Sequence, residues 1–192
     1  MIVACLGDSI TAGSPLWDPD PAVRARIDAP DERSQWGWWA MRAKPSLELR
    51  NHGVYGERTD EIAARLAGAV DGVDAIVIQG GINDVAQGRP VETAAQNLAG
   101  MAHRALGLGL RVVLVDVLPW NNGDGRSANE IVRLNTLVGA IAGGLGVPLV
   151  SFHDVLADPE RPHRMRDEWT DDGDHPSVEG HRLLGGQAAT SL

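Results

Sequence analysis

Cysteine is nearly absent: one residue, Cys5, in a chain of 192, so no disulfide can form within it. Positive charge is also scarce. Lys and Arg number 17 against 26 Asp and Glu, a formal net charge of -9. Binding a phosphate backbone needs a basic face, and so does docking on an anionic membrane, so this balance disfavours both partners. No apolar run approaches the length of a membrane span, so no integral membrane segment is expected. Neither G-x-G-x-x-G nor the P-loop lysine motif occurs, which disfavours nucleotide and flavin binding. No basic leader or cleavage site precedes the first apolar run at Ile2, so a cytoplasmic location is expected; a mature secreted chain with a replaced start codon would read the same. Phe and Tyr occur once each, whereas Trp occurs six times.

What the chain does contain is a repeated alternation of short β-branched runs and amphipathic stretches. Ile2–Leu6, Leu47–Asn51, Ala75–Gln79, Arg111–Leu118 and Val147–Ser151 read as strands, several of them apolar almost throughout, as parallel strands covered on both faces should be. Cys5 falls in the first and reads as a small buried hydrophobe. Between the runs, helices are expected from Thr59, which can cap free N–H groups, from Val91 to Leu106, and from a Ser127–Glu130 capping box to Gly143-Gly144. A last helix starts near Ser177. The alternation predicts one domain over residues 1–192, a doubly wound three-layer α/β/α fold with five parallel strands in the flavodoxin-like order 2-1-3-4-5. Ser14–Ser34, with four prolines, breaks the pattern and reads as a long loop: a lid, a binding loop or a solvated excursion.

In such a sheet, ligands bind beyond the carboxyl ends of the strands. Ser9, Gly56, Asn83 and Trp120 all follow predicted strands and could share one rim. Acyl transfer from an ester needs a nucleophile, a base, an orienter for the base and donors for the oxyanion. Ser9, in Gly7-Asp8-Ser9-Ile10, is the nucleophile candidate, although most serines in such turns only cap a helix. Among six histidines, His175 stands out because Asp172 lies three residues before it in a turn closed by Pro176. That separation lets the carboxylate reach Nδ1 and leaves Nε2 for the serine. Asp171 and Asp174 read as solvated turn residues. His103 and His181, in predicted helices, read as surface or satisfied positions, and the spacing of His153, His163 and His175 matches no usual zinc pattern. No metal or organic cofactor is implied.

Asn83, after the third strand, carries an uncharged amide donor, and a glycine at Gly56 or Gly53 would let substrate approach the backbone. Asp84 reads as structural. Trp36 and Trp39 suit helix packing, and Trp120 is the better candidate for a substrate pocket.

Ser9, Gly56, Asn83 and His175 occur in the order of the SGNH hydrolase superfamily, the GDSL-type esterases and lipases, which the chain resembles from Gly7 to Gly180. Gly7-Asp8-Ser9-Ile10, Asn51–Gly56, Gly81-Ile82-Asn83-Asp84 and Asp172–Pro176 match the four blocks, with isoleucine where the family name has leucine. The resemblance implies Ser9, Asp172 and His175 as catalytic residues and Ser9, Gly56 and Asn83 as the oxyanion hole, and it selects Gly56 over Gly53. It implies hydrolysis of a carboxylic ester; a small-molecule or carbohydrate-linked ester of a short acyl or acetyl group is expected because no exposed apolar stretch suggests a lipid interface and tryptophans near a rim can stack on sugars. A lipase, lysophospholipase or thioesterase of the same family, or a binding module without turnover, are the alternatives. Thr11 stands where the second glycine of G-x-S-x-G would be, so the α/β-hydrolase elbow does not apply.

Overall fold

A computed structural model describes residues 1–192. Five parallel strands form the central sheet: β1 (Ile2–Gly7), β2 (Glu48–Gly53), β3 (Ala75–Ile78), β4 (Arg111–Val115) and β5 (Leu149–Val150), in the order β2-β1-β3-β4-β5. The register sets Cys5 opposite Asn51 on one side and Val77 on the other. Ten helices accompany the sheet: α1 (Ser9–Ala12), α2 (Pro21–Arg24), α3 (Trp36–Ala43), α4 (Thr59–Ala64), α5 (Leu66–Ala69), α6 (Ile82–Ala86), α7 (Val91–Gly107), α8 (Gly125–Leu145), α9 (Phe152–Leu156) and α10 (Val178–Ser191).

The pleat of the strands explains why the layers sit where they do. Alternate residues point to opposite faces. Ala4, Leu6, Ile76, Ile78 and Leu114 face one core with α4 to α8; Val3, Cys5, Val77, Val113 and Val115 face a second core with α3, α9 and α10. Both faces are thus apolar, which is why these runs read as continuous rather than alternating. Burial pushes the Cys5 thiol well above its ordinary pKa, so it stays protonated and inert. Trp36 is in the second core, edge-on to Phe152 at 5.8 Å, as expected for a packing residue.

Several boundaries differ from the sequence expectation. β4 stops at Val115 rather than Leu118, because the Asn135 side chain takes over the backbone of Val117, accepting its N–H at 2.8 Å and donating to its carbonyl at 2.8 Å. Helix α8 starts earlier than Ser127: Asp124 is its cap and accepts both the N–H and the hydroxyl of Ser127. The same helix runs through Gly143-Gly144 and ends at Gly146, whose φ of 67° makes the left-handed turn. Thr59 lies inside α4, and the N–H of Arg58 before it is held by the Glu61 carboxylate at 2.9 Å. The Ser14–Ser34 segment carries α2 and a 3-10 turn at Glu32–Ser34. A small antiparallel hairpin, β6 (Ala157–Asp158) with β7 (Arg161–Met165), has no counterpart in the expectation, since its exposed, proline-bearing sequence shows no alternation.

His181 corrects the expectation of a surface or satisfied position. It is fully buried in α10, and neither ring nitrogen has a hydrogen-bond partner. Burial, with a smaller contribution from His175, pushes its pKa down to about 3. An unfolded chain binds a proton here below about pH 6.5 that the folded chain refuses until about pH 3, so stability is lost as pH falls through that window. His181→Leu should therefore lose less stability than the wild type between pH 7 and 4.5, by roughly 2 to 3 kcal/mol. Urea unfolding at the two pH values reads this, and an equal acid loss in both proteins would contradict it.

Candidate active site

Ser9 is mounted where β1 turns into α1. Asp8 caps the helix, its Oδ1 accepting the N–H of Ile10 at 3.0 Å. Its other oxygen accepts Gln79 Nε2 at 3.0 Å, and Gln79 Oε1 accepts the Thr11 hydroxyl at 2.8 Å. This buried network pins the turn. A Cβ on Gly7 would come within 2.5 Å of Gln79 Oε1, so only glycine fits there. Burial pushes the Asp8 pKa up to about 6, against the opposing hydrogen bonds from Ile10 and Gln79. Neither Asp8 nor Gln79 was expected in a role at the site, although Asp8 stood next to Ser9 in the first motif. As the first residue of α1, Ser9 keeps a backbone N–H with no partner inside the helix.

The other end of the chain arrives through a tight turn. Thr170 pairs with Pro176, its hydroxyl donates to the His175 carbonyl at 2.7 Å, and Gly173 takes a φ of 81°. Within this turn Asp172 Oδ1 accepts the N–H groups of Asp174 and His175, at 2.8 and 2.7 Å. Its Oδ2 lies 2.8 Å from His175 Nδ1, and His175 Nε2 lies 3.1 Å from Ser9 Oγ. Burial works to raise the Asp172 pKa, but the hydrogen bonds from the His175 ring and the two amides outweigh it, so the carboxyl sits below its usual range. Asp172 is therefore ionised and turned so that its second oxygen faces only the imidazole.

Gly56 and Asn83 come to the same cleft as Ser9 and His175. Gly56 has a φ of 77°, a conformation that favours glycine, and the space where a side chain would be is open. Gly53 instead lies against α1, where a Cβ would meet the backbone of Ala12 at 2.5 Å or closer, so it serves packing. Asn83, in the first turn of α6, donates one amide hydrogen from Nδ2 to the carbonyl of Glu57 at 2.9 Å and has a second to offer. Asp84 is buried and holds the N–H and hydroxyl of Thr59, in keeping with a structural role.

Trp120 lines the cleft, and its Nε1 donates to Asp174 Oδ1 at 2.6 Å. Asp174 also accepts Asn122 Nδ2 at 2.8 Å. Expected as a solvated turn residue, Asp174 instead ties the turn carrying His175 to the segment after β4. Its adjacency to His175 prevents it from orienting that ring but places it well for the neighbouring indole. Asp171 is exposed, as expected. Tyr55, 65% exposed, lies over the His175 ring at 6.1 Å, and nothing in composition singled it out beyond its place before Gly56. No residue of Ser14–Ser34 lines the cleft, so in this conformation the segment is not its lid.

The GDSL-like Lipase/Acylhydrolase family model matches residues 5–183. The chain belongs to that family. As a GDSL-like acylhydrolase it is a carboxylic ester hydrolase. The fold neighbours agree with that placement. A protein of the G-D-S-L family from Desulfitobacterium hafniense, described as lipolytic, superposes with a TM-score of 0.82 at 22% identity, over 100% of this chain and 99% of its own. The lipase/acylhydrolase from Enterococcus faecalis gives 0.78 at 23% identity over 98% and 93%. Est24, a carbohydrate acetylesterase from Sinorhizobium meliloti, gives 0.76 at 20% identity over 98% and 96%. No curated protein matches this acylhydrolase in sequence.

Proposed function

We propose that this acylhydrolase cleaves short acyl esters, acetyl groups on carbohydrate foremost, by a Ser9–His175–Asp172 triad. The observation that carries the reading is the unbroken contact from Asp172 Oδ2 through the imidazole to Ser9 Oγ, at 2.8 and 3.1 Å. His175 Nε2 takes the serine proton as Oγ attacks the ester carbonyl. The oxyanion of the tetrahedral intermediate is held by the N–H of Ser9, the N–H of Gly56 and the free amide hydrogen of Asn83. His175 then protonates the departing alcohol, leaving an acyl-Ser9. Water, giving its proton to His175, attacks that ester, and His175 returns the proton to Ser9 Oγ as the acyl–Oγ bond breaks and the acid leaves.

Two features of the site favour a small acyl group and a polar alcohol. The cleft at Ser9 encloses about 200 Å³, less than the roughly 300–1,000 Å³ of sites that bury a drug-sized ligand. At Ala86 it adjoins a groove of about 380 Å³ bordered by Arg89, Arg126 and Glu130, whose donors and acceptors suit a polyhydroxylated leaving group. The carbohydrate acetylesterase among the fold neighbours acts on this class. Rates against p-nitrophenyl esters of increasing length test the substrate assignment. The acetate and butyrate should turn over fastest, with palmitate slower by a hundredfold or more in kcat/KM. A preference for long chains would overturn the short-acyl assignment and favour a lipase or thioesterase.

A further inference from the structure

Arg65, at the end of α4, sits behind the cleft and takes no part in the chemistry proposed above. Its guanidinium nevertheless makes more long-range contacts than any other near the site. Nε and Nη2 both bond the Glu57 carboxylate, at 2.8 and 2.6 Å at their shortest. Nη1 donates to the carbonyl of His52 at 2.9 Å, and Nη2 also donates to the carbonyl of Gly7 at 3.1 Å. One planar group thus ties the ends of β1 and β2 to the loop between β2 and α4. Both partners are largely shielded, with side-chain exposures of 29% for Arg65 and 17% for Glu57.

Each proposed oxyanion donor is one short step from this pair. Gly56 is the residue before Glu57. Asn83 Nδ2 donates to the Glu57 carbonyl at 2.9 Å, a bond that fixes which end of the amide points there. Gly7, whose carbonyl Arg65 holds, lies two residues before Ser9 on the strand that ends at the nucleophile. A surface ion pair contributes little to stability. A bidentate guanidinium fork that also reaches two strand-end carbonyls fixes geometry in a way a lysine cannot reproduce.

We propose that Arg65 and Glu57 form a positioning brace that sets the mutual spacing of the three oxyanion donors. The brace rests on the oxyanion site proposed above and deepens it. It acts on the transition state, because the donors must be aimed at an oxygen that becomes charged only there. Loosening the brace misplaces the donors by a fraction of an ångström to an ångström, a change that can cost on the order of a hundredfold in rate.

Arg65→Lys and Glu57→Gln test this in the full chain. Both should lower kcat for p-nitrophenyl acetate by about 10- to 100-fold while KM stays within about threefold. Affinity for phenylboronic acid, which forms a tetrahedral adduct with an activated serine, should fall by a similar factor. A residue that merely supports the fold would lower the melting temperature without this split between kcat and KM. Glu57→Gln keeps the side-chain shape and the backbone carbonyl that Asn83 uses, so it decides the question if Arg65→Lys does not fold. Folded variants with unchanged kcat and unchanged boronate affinity would overturn the brace while leaving the triad standing. Loss of the triad itself would show separately, as ester hydrolysis surviving in Ser9→Ala.

Discussion

Ser9→Ala should lower kcat for p-nitrophenyl acetate by roughly five to six orders of magnitude. The loss is expected to be this large because the hydroxyl is the group that forms the acyl-enzyme, and neither His175 nor the oxyanion donors can substitute for it. The fold should be unaffected. The Ser9 hydroxyl makes its one side-chain hydrogen bond to His175, and Asp8 rather than Ser9 caps α1. Alanine also suits the first position of a helix. Melting temperature should therefore stay within a few degrees of the wild type. A fluorophosphonate probe should label the wild-type chain at Ser9 and leave the variant unlabelled, as read by intact mass. Substantial turnover in a folded Ser9→Ala protein would remove the triad as the mechanism.

Asp172→Asn should cost roughly four orders of magnitude in kcat, with little change in KM. The turn keeps its shape, because the amide oxygen can still accept the N–H groups of Asp174 and His175 that Asp172 Oδ1 accepts now. The amide nitrogen then faces His175 Nδ1 and donates to it. That forces the ring into the tautomer with hydrogen on Nε2, the nitrogen 3.1 Å from Ser9 Oγ. A nitrogen already carrying hydrogen cannot accept the serine proton. The lowered pKa of Asp172 has the same origin, since the carboxylate is held ionised by donors that all belong to this turn. Glutamate at 172 would carry the charge without the geometry and should not restore the rate. A folded Asp172→Asn protein within tenfold of wild-type kcat would show that the carboxylate does not orient the base.

Much of this was legible before any coordinates. Apolar runs separated by helical stretches give the five strands and the doubly wound class, and the order 2-1-3-4-5 is one of the two that such sheets commonly take. Three of the four motifs follow strands, and the fourth, Asp172–Pro176, is a turn ahead of the last helix. The misread positions share a cause. Asp124, not Ser127, caps α8, and Asn135 ends β4 early, because each choice depends on side chains competing for the same backbone groups. His181 looked like a surface or satisfied residue, since helical spacing alone does not say which neighbouring helix covers a face. Tyr55 and Asp174 belong to segments without periodicity, where local pattern carries no information about contacts.

Hydrophobic pattern acts over a few residues, so it was enough to give the five strands and their two-faced burial and to set Ser9 and Asn83 just past strands, while the choice of Gly56 over Gly53 came from the family motif. The meeting of Ser9 with His175, 166 residues apart, and the Arg65–Glu57 fork depend on how separate segments close in space. Those contacts are decided by packing and hydrogen-bond competition between distant parts of the chain, which no local spacing encodes.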